Sequence, residues 1–131
     1  MGILDLSAEA EIYFIDNWTE TPLSSIQFPD RQFKTDGLDK YIELNFAPTL
    51  NTLIGVNGTT QGRTEYSGIT IVNCYHKTKK LGLDLADKTG EFLNGVELPL
   101  NIRLGTPQYE PPLDMGNDFW MIRVTVEINQ C

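Results

Sequence analysis

The sequence has few of the residues from which catalytic and metal sites are built. Its 131 residues include one histidine, His76, and two cysteines, Cys74 and Cys131. Structural zinc usually takes four cysteine or histidine ligands, so this set is too small. A nucleophilic site would have to use His76, but no glycine elbow surrounds it or Cys74. Phosphate-binding glycine motifs are also missing. We therefore expect no metal, no cofactor and no catalytic residues.

Long apolar runs and a signal peptide are also lacking. No stretch approaches the ~18 apolar residues of a membrane span, and the N-terminus has neither a basic region nor an apolar core. We expect no membrane partner, synthesis in the cytoplasm, and free thiols at Cys74 and Cys131. Basic residues are scarce as well, since 10 lysines and arginines face 18 acids and leave a net charge of −8. A protein that binds nucleic acid usually has lysine and arginine side chains that replace the counterions of the phosphates. The net negative charge of this chain therefore argues against nucleic-acid binding.

What the chain does have is enough apolar character for a core. Hydrophobic residues make up 40% of the sequence and aromatic residues 10%. A chain of this length buries roughly two thirds of its unfolded surface. Residues 1–131 are therefore expected to form one globular domain.

The stretch from Tyr66 to Leu104 predicts a strand, a helix and a second strand. Tyr66–Tyr75 is rich in β-branched and aromatic residues, which favour strands. A basic turn at 76–80 leads into a helix-period segment that Asn94–Gly95 ends. Residues 96–104 then alternate apolar and polar, which predicts a strand with one buried face. The apolar side of the helix is expected to hold Leu81, Leu85 and Phe92.

The segment before Pro22 predicts a helix. Ser7 is a suitable N-cap, and acids follow it in the first turns. Two stripes have helical spacing, one of Ala8, Ile12, Ile15 and Thr19 and the other of Ala10, Phe14 and Trp18. A short strand over Ile12–Ile15 is the competing interpretation. Pro22 should end the helix, because the residue before a proline avoids the helical region.

Further strands are predicted on either side of the central stretch. Residues 24–33 can hold a short irregular strand that Pro29 breaks. Tyr41–Phe46 alternates well and Pro48 closes it. Phe119–Ile128 is the clearest strand, with Trp120, Ile122, Val124, Val126 and Ile128 on one face.

Two loops separate these elements. Residues 49–63 form a long polar loop that also carries Leu53, Ile54 and Val56. Loops of this length are usually functional or disordered, and their apolar residues need a partner surface. They either fold back on the parent domain or form an arm that docks on a neighbouring subunit. Residues 105–118 form a second, proline-rich loop anchored by Tyr109 and Leu113.

A few acids resemble fragments of catalytic patterns. Asp30 followed by Glu43-Leu-Asn45 is close to a nuclease pattern of an acid and then acid-x-lysine, but Asn45 stands in place of the lysine. Asp84 and Asp87 lie three apart on the predicted helix, where a solvated face is the simpler explanation. A hydrolase or nuclease that uses Asp30, Glu43 or His76 remains the enzymatic alternative.

The order of elements resembles the small tail-terminator proteins (tail-completion or minor tail proteins) of long-tailed bacteriophages. The likeness covers most of the chain from about residue 38. The segments that carry it are Tyr41-Ile-Glu-Leu-Asn-Phe-Ala-Pro48, Tyr66-Ser-Gly-Ile-Thr-Ile-Val-Asn-Cys-Tyr75, Leu81-Gly-Leu-Asp-Leu-Ala-Asp-Lys88 and Asp118-Phe-Trp-Met-Ile-Arg-Val-Thr-Val126. They are patterns of strand and helix without a catalytic signature.

This resemblance implies an α+β fold, with a mainly antiparallel sheet of four to five strands and two helices on one face. It also implies a homo-oligomeric ring of six subunits on the end of the tail tube. Such a ring stops tube polymerisation in the virion and presents a surface to the head-completion or connector protein. DNA would only pass through its lumen, and six copies at −8 each carry a formal −48 that repels phosphates.

The expected contacts with neighbouring subunits and the tube protein come from the two loops. The candidate interface residues are Leu53, Ile54, Val56, Arg63 and Tyr109. The main alternative is another head–tail joining or adaptor protein that binds a single virion partner without forming a ring and without catalysis.

Overall fold

The computed structural model describes residues 3–29, 33–34, 37–48, 52–54 and 63–130, with the backbone alone at 3–4, 52–54 and 63–66. Two α-helices lie in these residues, α1 (Ile3–Asn17) and α2 (Lys79–Leu93). The strands are β1 (Ile26–Gln27), β2 (Lys40–Pro48), β3 (Thr52–Ile54), β4 (Arg63–His76), β5 (Glu97–Leu98), β6 (Ile102–Leu104), β7 (Gln108–Tyr109), β8 (Leu113–Asp114) and β9 (Trp120–Gln130).

The long strand β4 is the centre of the sheet. It pairs antiparallel with β2 on one side, from Lys40–His76 to Pro48–Gly68, and with β9 on the other, from Tyr66–Gln130 to His76–Trp120. The main path of the sheet runs β1-β2-β4-β9-β6-β5. β-Branched residues fill β4, and such side chains pack well on a pleated surface with neighbours on both sides.

Both helices pack on one face of this sheet and share a single core with it. The sheet contributes alternate residues of its long strands to that face, and the most deeply buried are Ile42, Val72, Cys74, Ile122, Val124, Val126 and Ile128. The helices meet through aromatic contacts, with the rings of Tyr13 and Phe92 stacked at 4.4 Å and Trp18 edge-on to Phe92 at 5.0 Å. The Tyr13 hydroxyl also donates to the Phe92 carbonyl at 2.8 Å.

The predicted first helix is confirmed, and the alternative strand at Ile12–Ile15 is wrong. The stripe that α1 buries contains Leu6, Ala10, Phe14 and Trp18, whereas Ile12 and Ile15 point to solvent. The prediction of Ser7 as N-cap is wrong, because α1 is already helical at Ile3. The helix also ends at Asn17, before Pro22, and the indole of Trp18 donates to Thr21 at 2.8 Å where the chain turns.

The second helix is confirmed, with one exception on its apolar side. Leu85 is buried and Phe92 half-buried as expected, but Leu81 is 49% exposed. The backbone amide of Asn94 caps the helix by donating to the Gly90 carbonyl, and Gly95 follows at φ +66°. A positive φ costs glycine little, which explains why the helix stops here.

The single strand predicted over Val96–Leu104 is wrong, because these residues form a hairpin. β5 and β6 pair antiparallel, with Glu97 opposite Arg103 and Leu98 opposite Ile102. Leu100 and Asn101 take positive φ values of 65° and 60° in the turn between them. Pro99 lacks an amide donor, so the ladder cannot continue through it. Leu100 is consequently 48% exposed, although it fits the apolar alternation.

The proline-rich loop predicted over residues 105–118 is also partly strand. The short strands β6, β7 and β8 lie one after another along the same edge of β9, and each pairs antiparallel with β9. The amides of Gly105 and Glu110 continue this pairing by donating to the Glu127 and Arg123 carbonyls, at 2.8 and 3.0 Å. Prolines at 107, 111 and 112 break the ladder, and edge strands tolerate such breaks.

The fold is therefore α+β, with two helices and a mixed sheet of many strands. The expected four to five strands are too few, since the sheet of the described residues has nine. Most pairs are antiparallel, and the exception is the short β1, which lies parallel to β2. The irregular strand expected in residues 24–33 corresponds to β1, preceded by a 3₁₀ turn at Leu23–Ser25.

Candidate functional site

Two described parts of the predicted loop at 49–63 are strand, namely β3 at 52–54 and the first residue of β4 at 63. β3 pairs antiparallel with the start of β4, with Leu53 opposite Thr64 and Ile54 opposite Arg63. This pairing lies beyond Tyr66–Gln130, the last pair between β4 and β9. The backbone thus carries Leu53, Ile54 and Arg63 on an extension of the central strand, named here the β3–β4 arm (residues 52–54 and 63–65). Val56 lies outside the described residues.

The fifth predicted interface residue, Tyr109, lies elsewhere. It is on β7 opposite Val124, on the face of the sheet that the helices cover. Its hydroxyl lies against α2 so closely that a Cβ at Gly90 would collide with it. The ring remains 48% exposed, and burial of the rest raises the pKa of its hydroxyl, as do the nearby Asp87 and Glu91. Tyr109 is therefore separate from the arm and joins β7 to α2.

The other face of the sheet is covered by neither α1 nor α2. A polar row crosses it through four successive segments of the sheet. The Asn73 amide donates to Glu43 Oε1 at 2.7 Å and accepts from Arg123 Nε at 2.9 Å. Arg123 also lies 3.5 Å from the Glu110 carboxylate. Asn73 is 5% exposed and is satisfied on both sides, so the row holds these strands in register.

Aromatic rings lie beside this row. The rings of Tyr41 and Tyr75 stack at 4.4 Å, and Phe33 and Phe119 both contact Tyr41 at 5.3 Å. Burial raises the pKa of Tyr75, and the Glu43 carboxylate raises it further because a second negative charge nearby is unfavourable. The pKa of Tyr41 is raised for the same two reasons. Both phenols stay neutral near pH 7. The Tyr75 hydroxyl donates to Glu43 Oε1 at 3.4 Å, and both rings are packing surfaces.

The two described residues of the enzymatic alternative, Glu43 and His76, are not brought together. Glu43 lies in the polar row, whereas His76 shares the helix-facing side of β4 with Cys74. Asp30 lies outside the described residues. His76 Nδ1 accepts a hydrogen bond from the Thr78 amide at 3.0 Å, and burial and Lys40 lower its pKa, while Asp39 raises it less strongly. Cys74 Sγ shares a hydrogen bond with Thr89 Oγ1 at 3.4 Å.

Neither a metal-binding cluster nor a membrane-spanning helix is present in the described residues. No group of three or more histidine, cysteine or acidic side chains there is arranged to hold a metal ion. The helices of the described residues, α1 and α2, lack the length and apolar character needed to cross a membrane.

Sequence reasoning missed the polar row and the pairing of residues 105–114 with β9. The outward positions of Glu43 and Arg123 follow from the strand alternation, but their alignment depends on the register across three strands. That register is set by tertiary packing. No protein-family model matches this sequence, and a search of the curated proteins finds no match.

Proposed function

We propose that this chain is a tail terminator of a long-tailed bacteriophage. Copies of it, six by the family resemblance, form a ring on the end of the tail tube and stop its polymerisation. The observation that carries the proposal is the β3–β4 arm, which extends the central strand past its pairs with β2 and β9 and bears Leu53, Ile54 and Arg63. An arm of this kind is suited to contact a neighbouring subunit or the tube.

The arrangement of the elements supports the same proposal. The antiparallel strands β2, β4, β9 and β6 make the core of the sheet, with two helices on one face, as the resemblance implies. The shorter strands are additions to that core. The element order α1, β2, arm, β4, α2, β6, β9 also follows the order on which the resemblance depends.

The mechanism is one of binding. The arm and the edge formed by residues 105–118 meet neighbouring copies and the tail tube protein, and the occupied tube end cannot accept another ring. The exposed surface of the ring then receives the head-completion or connector protein. The charge of −8 per copy keeps the DNA that passes through the lumen from adhering. The site of action is the head-proximal end of the tail in the virion, after assembly in the host cytoplasm.

The test combines native mass with tube assembly. Purified protein is measured by native mass spectrometry over a concentration series and imaged by negative-stain electron microscopy. It is then added to tube protein during assembly, where we expect closed rings at tube ends and shorter tubes. Tubes of unchanged length with bare ends would overturn the proposal. A monomer that binds one virion protein and leaves tube length unchanged would favour the adaptor instead.

A further inference from the structure

The start of α2 concentrates positive charge in an otherwise acidic protein. Lys77, Lys79 and Lys80 are exposed and lie within four positions, and the first turn of α2 contains no acid. Lys77 pairs with Asp39 at 3.7 Å and Lys79 lies over the Trp120 ring at 5.4 Å, but no salt bridge among the described residues involves Lys79 or Lys80. Positive side chains are unfavourable at the N-terminus of a helix, because the helix dipole is positive there. A locally unfavourable arrangement of this kind is typical of positions that serve a partner.

The exposed side of α1 has the opposite character. The helix contains four acids and neither lysine nor arginine. Glu9, Ile12 and Asp16 follow one another at helical spacing, with Ile15 beside them. Ile12 is 46% exposed and Ile15 38%, whereas Leu6 and Phe14 of the same helix are buried. We call Glu9, Ile12, Ile15 and Asp16 the acidic patch.

An exposed aliphatic side chain also accompanies the lysines. Leu83 lies three and four positions after Lys80 and Lys79, on the same side of α2, and is 44% exposed. We call Lys77, Lys79, Lys80 and Leu83 the basic patch. Each patch therefore combines charged side chains of one sign with an exposed aliphatic side chain. Asp39, Asp114 and Asp118 lie beside Lys77, so Lys79 and Lys80 carry most of the complementarity to the acidic patch.

The two patches lie on different helices. α1 lies mainly over β4, with further contacts to β2, β5 and β9, whereas α2 lies over β9 and β4 and against Tyr109 of β7. A contact between the acidic patch of one copy and the basic patch of the next joins two different surfaces. Such a heterologous contact repeats from copy to copy and closes into a ring when the rotation between neighbours allows it.

We propose that neighbouring copies of this chain bind each other through these patches, with α1 of one copy docked on the start of α2 of the next. The inference rests on the proposed function for the ring and adds the surface that forms it. A second copy is favoured over a nucleic acid because one chain supplies both complementary surfaces. A nucleic acid would use the basic patch alone.

The test exchanges the charges of the two patches. Variant A is Lys79→Glu with Lys80→Glu, and variant B is Glu9→Lys with Asp16→Lys. The helix dipole favours both changes of variant A, at the start of α2, and the Asp16→Lys change near the end of α1, so we expect both variants to fold. The control is Lys34→Glu with Arg103→Glu, which changes net charge as variant A does, at exposed positions outside both patches.

Self-association is measured by sedimentation at low and high salt, with circular dichroism as a check on folding. We expect A alone and B alone to associate at least tenfold more weakly than the wild type at low salt, because like charges then meet. An equimolar mixture of A and B should regain association, and so should one chain with all four substitutions. The control should match the wild type, and salt should weaken wild-type association.

The outcomes separate this inference from the proposed function. Rings of wild-type strength from A or B alone would reject the patch contact and leave the terminator proposal standing. A charge-dependent dimer that leaves tube growth unaffected would support the contact and remove the terminator proposal. A wild-type protein that stays monomeric in solution and on tubes would overturn both. Weaker association of A and B without rescue in the mixture would reject the pairing of these two patches.

Discussion

Each buried residue of β9 is expected to contribute to the free energy of unfolding. Val124 is 0% exposed and lies beside Val72 of β4, in the core that the helices cover. We expect Val124→Ala to lower the free energy of unfolding by about 2 kcal/mol, because two buried methyl groups are lost and a cavity remains. Urea denaturation checks this, with Glu127→Ala on the same strand as an exposed control. A loss no greater than that of the control would contradict the assigned face.

Cys74 should make stability depend on pH in the alkaline range. Burial raises the pKa of its thiol from 9.0 to about 12, and the Thr89 hydrogen bond lowers it only in part. Above pH 9 the unfolded chain releases this proton while the folded chain keeps it, so stability that is complete below pH 9 is lost progressively towards pH 12.

Because of Cys74, we expect the free energy of unfolding to be about 1.4 kcal/mol lower at about pH 10 than at about pH 8. Denaturation at both values, for the wild type and Cys74→Ala, measures it. The tyrosines with raised pKa are present in both proteins, so the comparison isolates Cys74. A variant as sensitive to pH as the wild type would show that the thiol does not contribute.

At the scale of elements, β7 and α2 meet where Tyr109 lies against Gly90. Glycine inside a helix costs roughly 1 kcal/mol relative to alanine, but a Cβ at Gly90 would collide with the Tyr109 hydroxyl. We expect Gly90→Ala to stabilise the protein by about 1 kcal/mol when Tyr109 is also alanine, and by clearly less when Tyr109 is intact. A double-mutant cycle by thermal denaturation tests this. Equal effects in both backgrounds would show that the two elements are not coupled here.

The β3–β4 arm is the element on which the proposed function depends most. Deleting residues 51–62 removes β3 and shortens the arm, while the pairs of β4 with β2 and β9 remain intact. We expect the domain to fold, as seen by circular dichroism, and to lose its ability to cap tubes in the assembly assay. A matched control replaces the same residues with a glycine–serine linker of equal length. Capping by the shortened protein would reject the role of the arm.

At the scale of the whole molecule, ring formation should couple to folding. A partner that binds only the folded state raises apparent stability by mass action. We therefore expect the melting temperature to increase with protein concentration and again when tube ends are added. In variant A, where the charge of the basic patch is reversed, we expect the melting temperature to increase only weakly with protein concentration. A melting temperature independent of both would argue that the folded chain acts alone.

The local sequence pattern by itself determined most of the long secondary-structure elements of this protein. The helices, β2 and β9 follow from apolar spacing of about 3.6 and 2.0 residues, because each of these elements buries one continuous side. The central strand β4 follows from its β-branched and aromatic residues. The stop of α2 at Asn94–Gly95 follows from the backbone freedom of glycine.

Only the tertiary structure decided what depends on residues far apart in sequence. Val96–Leu104 alternates like one strand, yet β5 and β6 form a hairpin because Leu98 and Ile102 meet across the turn that follows Pro99. Residues 108–109 and 113–114 have no strand pattern of their own and become strands by pairing with β9. The row Glu43–Asn73–Arg123 exists only in this register. Strand pairing is satisfied between segments, so one segment cannot reveal its partner.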